Sequence, residues 1–436
     1  MQVSIETISG LQRCMTVGVP AAQVEEKVTV ELKKLAKGRR IDGFRPGKVP
    51  PSVIKRMFGQ QARYEAIYQQ MQESFFQAVQ EQSVKLAGMP AFDPTVNEDG
   101  KDLEFKATFE VYPEIELNGF DTISVEQQSA SITDEDVSKM VETLQKQNIN
   151  WEESDDAAAD GDRTTIDFEG FIDGEAFEGG SATGHVLVLG SNSMIPGFES
   201  GLVGTKAGEE TTLDVTFPDD YQKDDLQGKP AQFKVTVSKV EKGALPEMNE
   251  EFYKSFGVET DNEENFVAEI RTNMERELTR ALRSLTKQKV LDGLLEANKI
   301  DVPSSLIDQE VDRLRQQAVQ QFGGQMDASQ IPAEIFKPQA EKRVQTGLLI
   351  NAVIDSNELT ASDEKIDELI EEIASTYQDP DQVREYYNAN AEQKSQVESL
   401  ALEEQVVEKV LAGANVTQVE SSYEDIIRAA NTQQPA

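Results

Sequence analysis

The spacing of apolar residues changes repeatedly along these 436 residues, and those changes constrain the fold more than any single motif. In "LEFKATFEV", Leu103, Phe105, Ala107, Phe109 and Val111 alternate with Glu104, Lys106, Thr108 and Glu110. That pattern predicts an antiparallel strand with one buried face. Val24, Val28, Leu32 and Leu35 recur at helical spacing, as do Tyr64, Tyr68, Met71, Phe75 and Val79, so two helices are expected, the second long. Between residues 160 and 245 alternation dominates: "TTIDFEGFIDG", "EAFEGGSATG", "HVLVLG", "EETTLDVTF" and "AQFKVTVSKV" are strands set between Gly-rich turns. From 246 the spacing turns helical. Phe266, Ile270, Met274, Leu278, Leu282 and Leu285 form one stripe, and "VPSSLIDQEVDRLRQQAVQQFGG" has Ser before its apolar run and Gly after it. Further helices are expected at Val344 to Val353, Ile366 to Ile373 and Val397 to Leu411, with a frayed tail "NTQQPA".

A chain of this length is too long for one typical core. The reading is an α+β multidomain protein: an α/β domain over 1–112, a strand and a helix opened by "TDEDV" over 113–149, a mostly antiparallel β domain over 150–245, and an all-α region over 246–436. "WEESDDAAADGD" is expected to be a polar connection.

Charge divides the chain unevenly. There are 80 acidic and 42 basic residues, a net charge of −38. Residues 1–112 hold 15 basic and 14 acidic residues, and the remainder 27 and 66. Lys33 to Arg63 holds ten Lys and Arg against one acid, Asp42. So acidic a protein repels phosphate backbones, and any contact with nucleic acid must be local.

Several chemistries are excluded. One cysteine, Cys14, allows neither an internal disulfide nor a Cys-rich zinc site. "GLVGTKAGEE" has the wrong glycine spacing for a phosphate loop, and "DDAAADGD" lacks the third-position ligand and closing Glu of a calcium loop. His185, the one histidine, heads "HVLVLG" and reads as an ordinary β-domain residue. No secretory signal opens the chain and no apolar run is long enough to span a membrane, so the expected location is cytoplasmic.

"TIDFEGFIDGEAFEGG" followed by "VLVLGSNSMIPGFESGLVGTKAGEETTLDVTFPDDY" resembles the FKBP-type prolyl isomerases over most of residues 160–242. The resemblance implies an antiparallel sheet wrapped around a short helix, with an apolar pocket lined by Phe168, Phe177, Met194, Ile195, Phe198, Tyr221 and Phe233. It implies isomerisation of X–Pro bonds with no cofactor and no metal. A common Asp is replaced here by Glu178, and a common Trp by Phe198.

"GFRPGKVP" at 43–50 resembles the signature loop of the trigger factor family of ribosome-bound bacterial chaperones, and the domain order and helical runs such as "NMERELTRALRS" agree. The resemblance covers essentially the whole chain. It implies that 1–112 binds the large ribosomal subunit near the exit tunnel, through ribosomal protein and RNA. Gly43, Pro46 and Gly47 would hold a tight turn, Phe44 would anchor it, and Arg45 and Lys48 would make the charged contacts. Pro46 stands where many members carry a basic residue. The resemblance further implies that 113–149 packs with the helical region, which forms a body with arms and holds nascent unfolded polypeptides without ATP. Leu314, Phe322, Val344, Leu348 and Val353 are the client-binding candidates. A weak homodimer away from the ribosome is also implied. The competing readings are a free FKBP-type isomerase with a helical dimerisation region, and an adaptor with an inactive isomerase fold.

Overall fold

The computed structural model describes residues 2–38, 50–98, 100–221, 223–321, 323, 327–375, 377 and 379–433. Two compact units emerge, Met1–Gln128 with Ser284–Val419, and Ser129–Arg283 with Glu420–Ala436.

The chain opens with an antiparallel hairpin, β1 (Gln2–Ser9) and β2 (Gln12–Val19), followed by α1 (Ala21–Gly38) and α2 (Pro51–Glu81). Proline suits the first position of α2, where its missing N–H would have no helical partner. β3 (Ala91–Val96) and β4 (Leu103–Glu110) complete a sheet of order β1-β2-β4-β3. β4 alternates as expected, burying Leu103, Phe105, Ala107 and Phe109 against Met15, Val17, Val24, Val28, Met71 and Phe75.

The long helix is present, but its buried face differs from the expected stripe. Tyr64 and Tyr68 are 75% and 46% exposed, whereas Ala62, Ala66, Ile67, Met71, Phe75 and Ala78 are buried. Small side chains allow close helix packing, and a tyrosine in the interior must find a partner for its hydroxyl.

After β5 (Ser124–Ser129), the "TDEDV" signal opens α3 (Asp134–Gln147). Thr133 and Asp136 form a reciprocal capping box there. The acidic connection contains a strand that the sequence reading missed, β6 (Asn150–Glu153). β7 (Arg163–Ile172), β8 (Glu175–Val188), the short helix α4 (Phe198–Leu202), β9 (Glu210–Thr216) and β10 (Pro230–Ala244) follow. The antiparallel sheet runs β6-β10-β7-β8, with β9 paired to the first half of β10. Asp173 and Gly174, with φ of 52° and 85°, make the two-residue turn between β7 and β8. Irregular register within β8 joins two runs, "EAFEGGSATG" and "HVLV", into one bent strand.

Helices follow: α5 (Glu250–Ser255), α6 (Glu263–Ala297), α7 (Ser304–Gln321), α8 (Ala333–Asn357), α9 (Asp363–Ala374), α10 (Pro380–Ala389) and α11 (Ala391–Gly413). β11 (Asn415–Glu420) pairs with β5, and α12 (Tyr423–Gln433) ends the described chain. Asn431 to Gln433, expected to fray, lie in α12. The Tyr423 hydroxyl of that helix donates to Glu277 at 2.7 Å. In the first unit Val290, Leu294, Leu349, Val353, Val406 and Val410 close on Ile123 and Val125. The unit boundaries fall inside the segments 113–149 and 246–436, because each segment supplies apolar residues to both units. No described helix is long and apolar enough to cross a membrane.

Candidate active site

Three strands, one short helix and one loop of the second unit bring seven aromatic rings together. β7 supplies Phe168, β8 supplies Phe177 and His185, α4 supplies Phe198, β10 supplies Phe233, and the segment after β9 supplies Phe217 and Tyr221. Phe198 is fully buried and lies edge-on to Phe168 and Phe233, with ring centres 5.7 and 5.2 Å apart. Phe233 in turn meets Phe168 and Phe177, each at 6.0 Å. These edge-to-face contacts set positive ring edges on negative faces and fix the basin's shape.

Backbone space is part of the design. A Cβ on Gly170 would fall 2.6 Å from the Phe233 ring and 2.7 Å from the Phe177 ring, and one on Gly180 only 2.5 Å from Phe177. Only glycine lets these rings lie against the strands.

Of the seven residues expected to line the pocket, Phe198 and Phe233 are buried. Phe168, Phe177, Met194, Ile195 and Tyr221 are half-buried and pack against the same core. Two further residues belong with them. Phe217 is buried and bridges Phe177 at 5.9 Å and Tyr221 at 4.8 Å. It stands in the same "FPDDY" motif as Tyr221, so the signal for it was present. His185 lies on β8, as expected of a β-domain residue, and its ring stands edge-on to Phe168 at 5.8 Å. The bend in β8 aims it there, and strand alternation alone does not reveal the bend.

One carboxylate is built into the wall. Glu199 of α4 is buried, and its oxygens accept the N–H groups of Gly190 at 2.8 Å, Asn192 at 3.0 Å and Met194 at 3.0 Å. Burial pushes this carboxyl up, but the N–H donors of Met194, Asn192 and Gly190 outweigh it and leave it below the ordinary glutamate value. Away from the basin, Glu241 of β10 accepts from Arg163 Nε at 2.7 Å and Lys239 Nζ at 2.9 Å. These two charge-assisted bonds hold its carboxyl down to about 2. The Arg163 guanidinium also lies 4.8 Å over the Trp151 ring of β6.

Gly43, Phe44, Arg45, Pro46, Gly47 and Lys48 lie outside the described residues. Beside them, Lys33, Lys34 and Lys37 of α1 and Lys55 and Arg56 of α2 are exposed. Arg63 is not free for an outside partner, since it bonds Glu25 at 3.0 Å and the carbonyls of Asn97 and Glu98.

Three of the five client-binding candidates are enclosed. Leu314, Leu348 and Val353 are 5%, 8% and 0% exposed, Val344 is half-buried, and Phe322 lies outside the described residues. Leu314 packs with Val311 and Ala340 where α7 meets α8, and Val353 sits in the core around Val290 and Leu349. Their helical stripes serve helix packing and leave little apolar surface for a client. The helical region has an open groove elsewhere, of about 610 Å³, lined by Gly347, Ile350, Ile354 and Leu402 with Lys342 and Glu403.

A bent antiparallel sheet closed on a short helix, with an aromatic basin between them, defines the class: an FKBP-type peptidyl-prolyl isomerase domain. Residues 154–238 match the family described as "FKBP-type peptidyl-prolyl cis-trans isomerase". Residues 1–144 match "Bacterial trigger factor protein (TF)", and residues 264–412 match "Bacterial trigger factor protein (TF) C-terminus". Curated relatives named "Trigger factor" are similar over nearly the full length. The one from Marinobacter nauticus is 50% identical, covering 99% of this chain and 100% of that protein. Those from Hahella chejuensis (52% identical; 98% and 96% covered) and Azotobacter vinelandii (50%; 100% and 100%) are comparable. A solved structure, "Promiscuous Substrate Recognition in Folding and Assembly Activities of the Trigger Factor Chaperone", shares the fold with a TM-score of 0.50. It is 17% identical and covers 94% of this chain and 99% of that one. The chain belongs to the trigger factor family, and it is a chaperone carrying peptidyl-prolyl cis–trans isomerase activity.

Proposed function

We propose that this chaperone docks at the exit tunnel of the large ribosomal subunit in the cytoplasm, holds nascent polypeptides without ATP, and isomerises their X–Pro bonds in the aromatic basin. The division of labour follows the sequence segments: 1–112 for docking, 113–149 for linking, 150–245 for isomerisation and 246–436 for clients.

The observation that carries the catalytic part is the convergence of Phe168, Phe177, Phe198, Phe217, Tyr221, Phe233 and His185 in one aromatic cluster. Rotation about the peptide bond costs about 18–20 kcal/mol because resonance holds it planar. Twisting removes that resonance and its charge separation, so an apolar enclosure favours the twisted amide over the planar one. Half-buried Phe168, Phe177, Met194 and Ile195 would enclose the proline ring, backed by the buried rings of Phe198 and Phe233. The Tyr221 hydroxyl would donate to the substrate carbonyl. No proton is transferred, so rate need not track the ionisation of any side chain.

For clients, the groove beside Gly347, Ile350 and Leu402 is the better candidate, because its apolar atoms are open whereas Leu314, Leu348 and Val353 are enclosed. Charge supports the direction of binding. Basic residues gather near "GFRPGKVP", while residues 113–436 hold 66 acids against 27 bases and are repelled by RNA.

One experiment with two arms tests the reading on the full chain. Phe168→Ala removes a half-buried ring and should slow an X–Pro tetrapeptide assay by at least about tenfold, the weight of one well-placed contact. Phe44→Ala with Arg45→Ala should abolish cosedimentation with ribosomes and leave that assay unchanged. Full isomerase activity in the first variant would move the site elsewhere, and undiminished cosedimentation in the second would remove the docking role of the loop.

A further inference from the structure

The wall of the basin that carries Met194 and Ile195 stands on a loop tied to a single side chain. Oε2 of Glu199 accepts from Gly190 N–H at 2.8 Å and Asn192 N–H at 3.0 Å, and Oε1 accepts from Met194 N–H at 3.0 Å. The hydroxyls of Ser191 and Ser193 lie 3.4 Å from Oε1 and 2.9 Å from each other. The loop takes an unusual path, with Gly190 at φ 88° and Asn192 at φ 56°. Glycine and asparagine accept that left-handed region more readily than other residues do. Three backbone N–H groups, of Gly190, Asn192 and Met194, converge as in an anion site, and here the anion is part of the chain. Glu199 also directly follows Phe198, the buried ring in the middle of the basin, so one short helix carries both the floor and the tie for the wall.

We propose that Glu199 is a positioning residue for prolyl isomerisation: its carboxylate fixes the 190–195 loop so that Met194 and Ile195 stand against Phe198, and so sets which residues beside the proline are accepted. This deepens the isomerase reading of the same site and rests on it. A neutral amide cannot replace the carboxylate. A glutamine offers one accepting oxygen, and its NH2 group would face at least one of the three N–H donors. The donor left without an acceptor is half-buried, which favours moving the loop over keeping it.

The test uses the full chain and a series of tetrapeptides that differ only in the residue before proline. Glu199→Gln should keep its far-ultraviolet circular dichroism, lower kcat/KM about tenfold and narrow the spread of kcat/KM across the series. Added to Met194→Ala, it should cost little further activity, because the wall it positions has already been removed. A purely structural role would lower the melting temperature but leave the preference across the series intact in the folded protein. Glu199→Asp keeps the charge, draws it back by one methylene, and should give a smaller loss in the same direction. It carries the test if the glutamine variant does not fold. A folded Glu199→Gln or Glu199→Asp with wild-type preference, or losses that simply add to those of Met194→Ala, overturns the proposal. A wild-type chain with no activity overturns the isomerase reading and this inference together, whereas an active wild type with an indifferent Glu199→Gln overturns the inference alone.

Discussion

Glu241 shows how one residue carries an acid sensitivity. Arg163 and Lys239 hold its carboxyl down to about 2, well below the ordinary glutamate value. The folded form therefore binds this proton more weakly than the unfolded chain does. The stabilisation is fully present above the unfolded value and is lost as pH falls toward 2. In Glu241→Gln, acid titration of the second unit should show a shallower loss of stability between about pH 4.5 and 2, together with lower stability at neutral pH. An unchanged acid limb would mean that the pair with Arg163 is not maintained in solution. Phe198 illustrates a different limit at this scale. Removing a fully buried phenylalanine costs about 3–5 kcal/mol in general. Half-buried Phe168 is thus the cleaner probe of the reaction. The rings of the "IPGF" and "FPDDY" motifs could be read from the chain because those motifs are local. His185 could not, because its place depends on a bend in β8 that only pairing with β7 creates.

Among the elements, long amphipathic helices and the alternating strands β4, β7, β9 and β10 announce themselves, because one buried face imposes a period. β6 does not, being four residues long, acidic and mostly exposed, and aligned by its pairing with β10. The face of α2 was misjudged for a related reason, since alanine contributes little to an apolar stripe yet occupies the closest contacts. The start of α7 depends on a partner far away in sequence. Ser304 Oγ and Ser305 N–H both donate to Glu110 at 2.9 Å, and Ser305 Oγ donates to Ala87 O at 3.0 Å. Burial raises the Glu110 carboxyl, but these bonds prevail and leave it lowered. A carboxylate here satisfies an orphan N–H and faces the positive end of the helix. Glu110→Ala should cost about 0.5–2 kcal/mol, as lost caps do, and speed hydrogen exchange at Ser305 and its neighbours. Unaltered exchange there would show that α7 does not depend on β4.

For the whole molecule, charge is the property that composition alone discloses. A net of −38 keeps most of the surface away from RNA, so the proposed ribosome binding through a basic segment should be a local, salt-sensitive event. Each phosphate contact contributes about −0.9 to the slope of log affinity against log salt. Replacing Arg45 by Ala should therefore reduce the slope by about 1, and a slope unaffected by this change would assign the binding to Phe44 packing instead. The grouping of residues 1–128 with 284–419 was not visible in the sequence, because nothing local marks which distant helix will share a core.

Trp151 is the sole tryptophan, half-buried beneath Arg163 where β6 meets the end of β10, with Gly243 leaving room for its ring. Excited at ~295 nm, where tyrosine scarcely absorbs, the intrinsic emission thus comes from one seam of the second unit. Heating or denaturant followed by fluorescence will report that seam alone, while circular dichroism follows the helices of both units. If the units melt separately, the two curves will not superimpose.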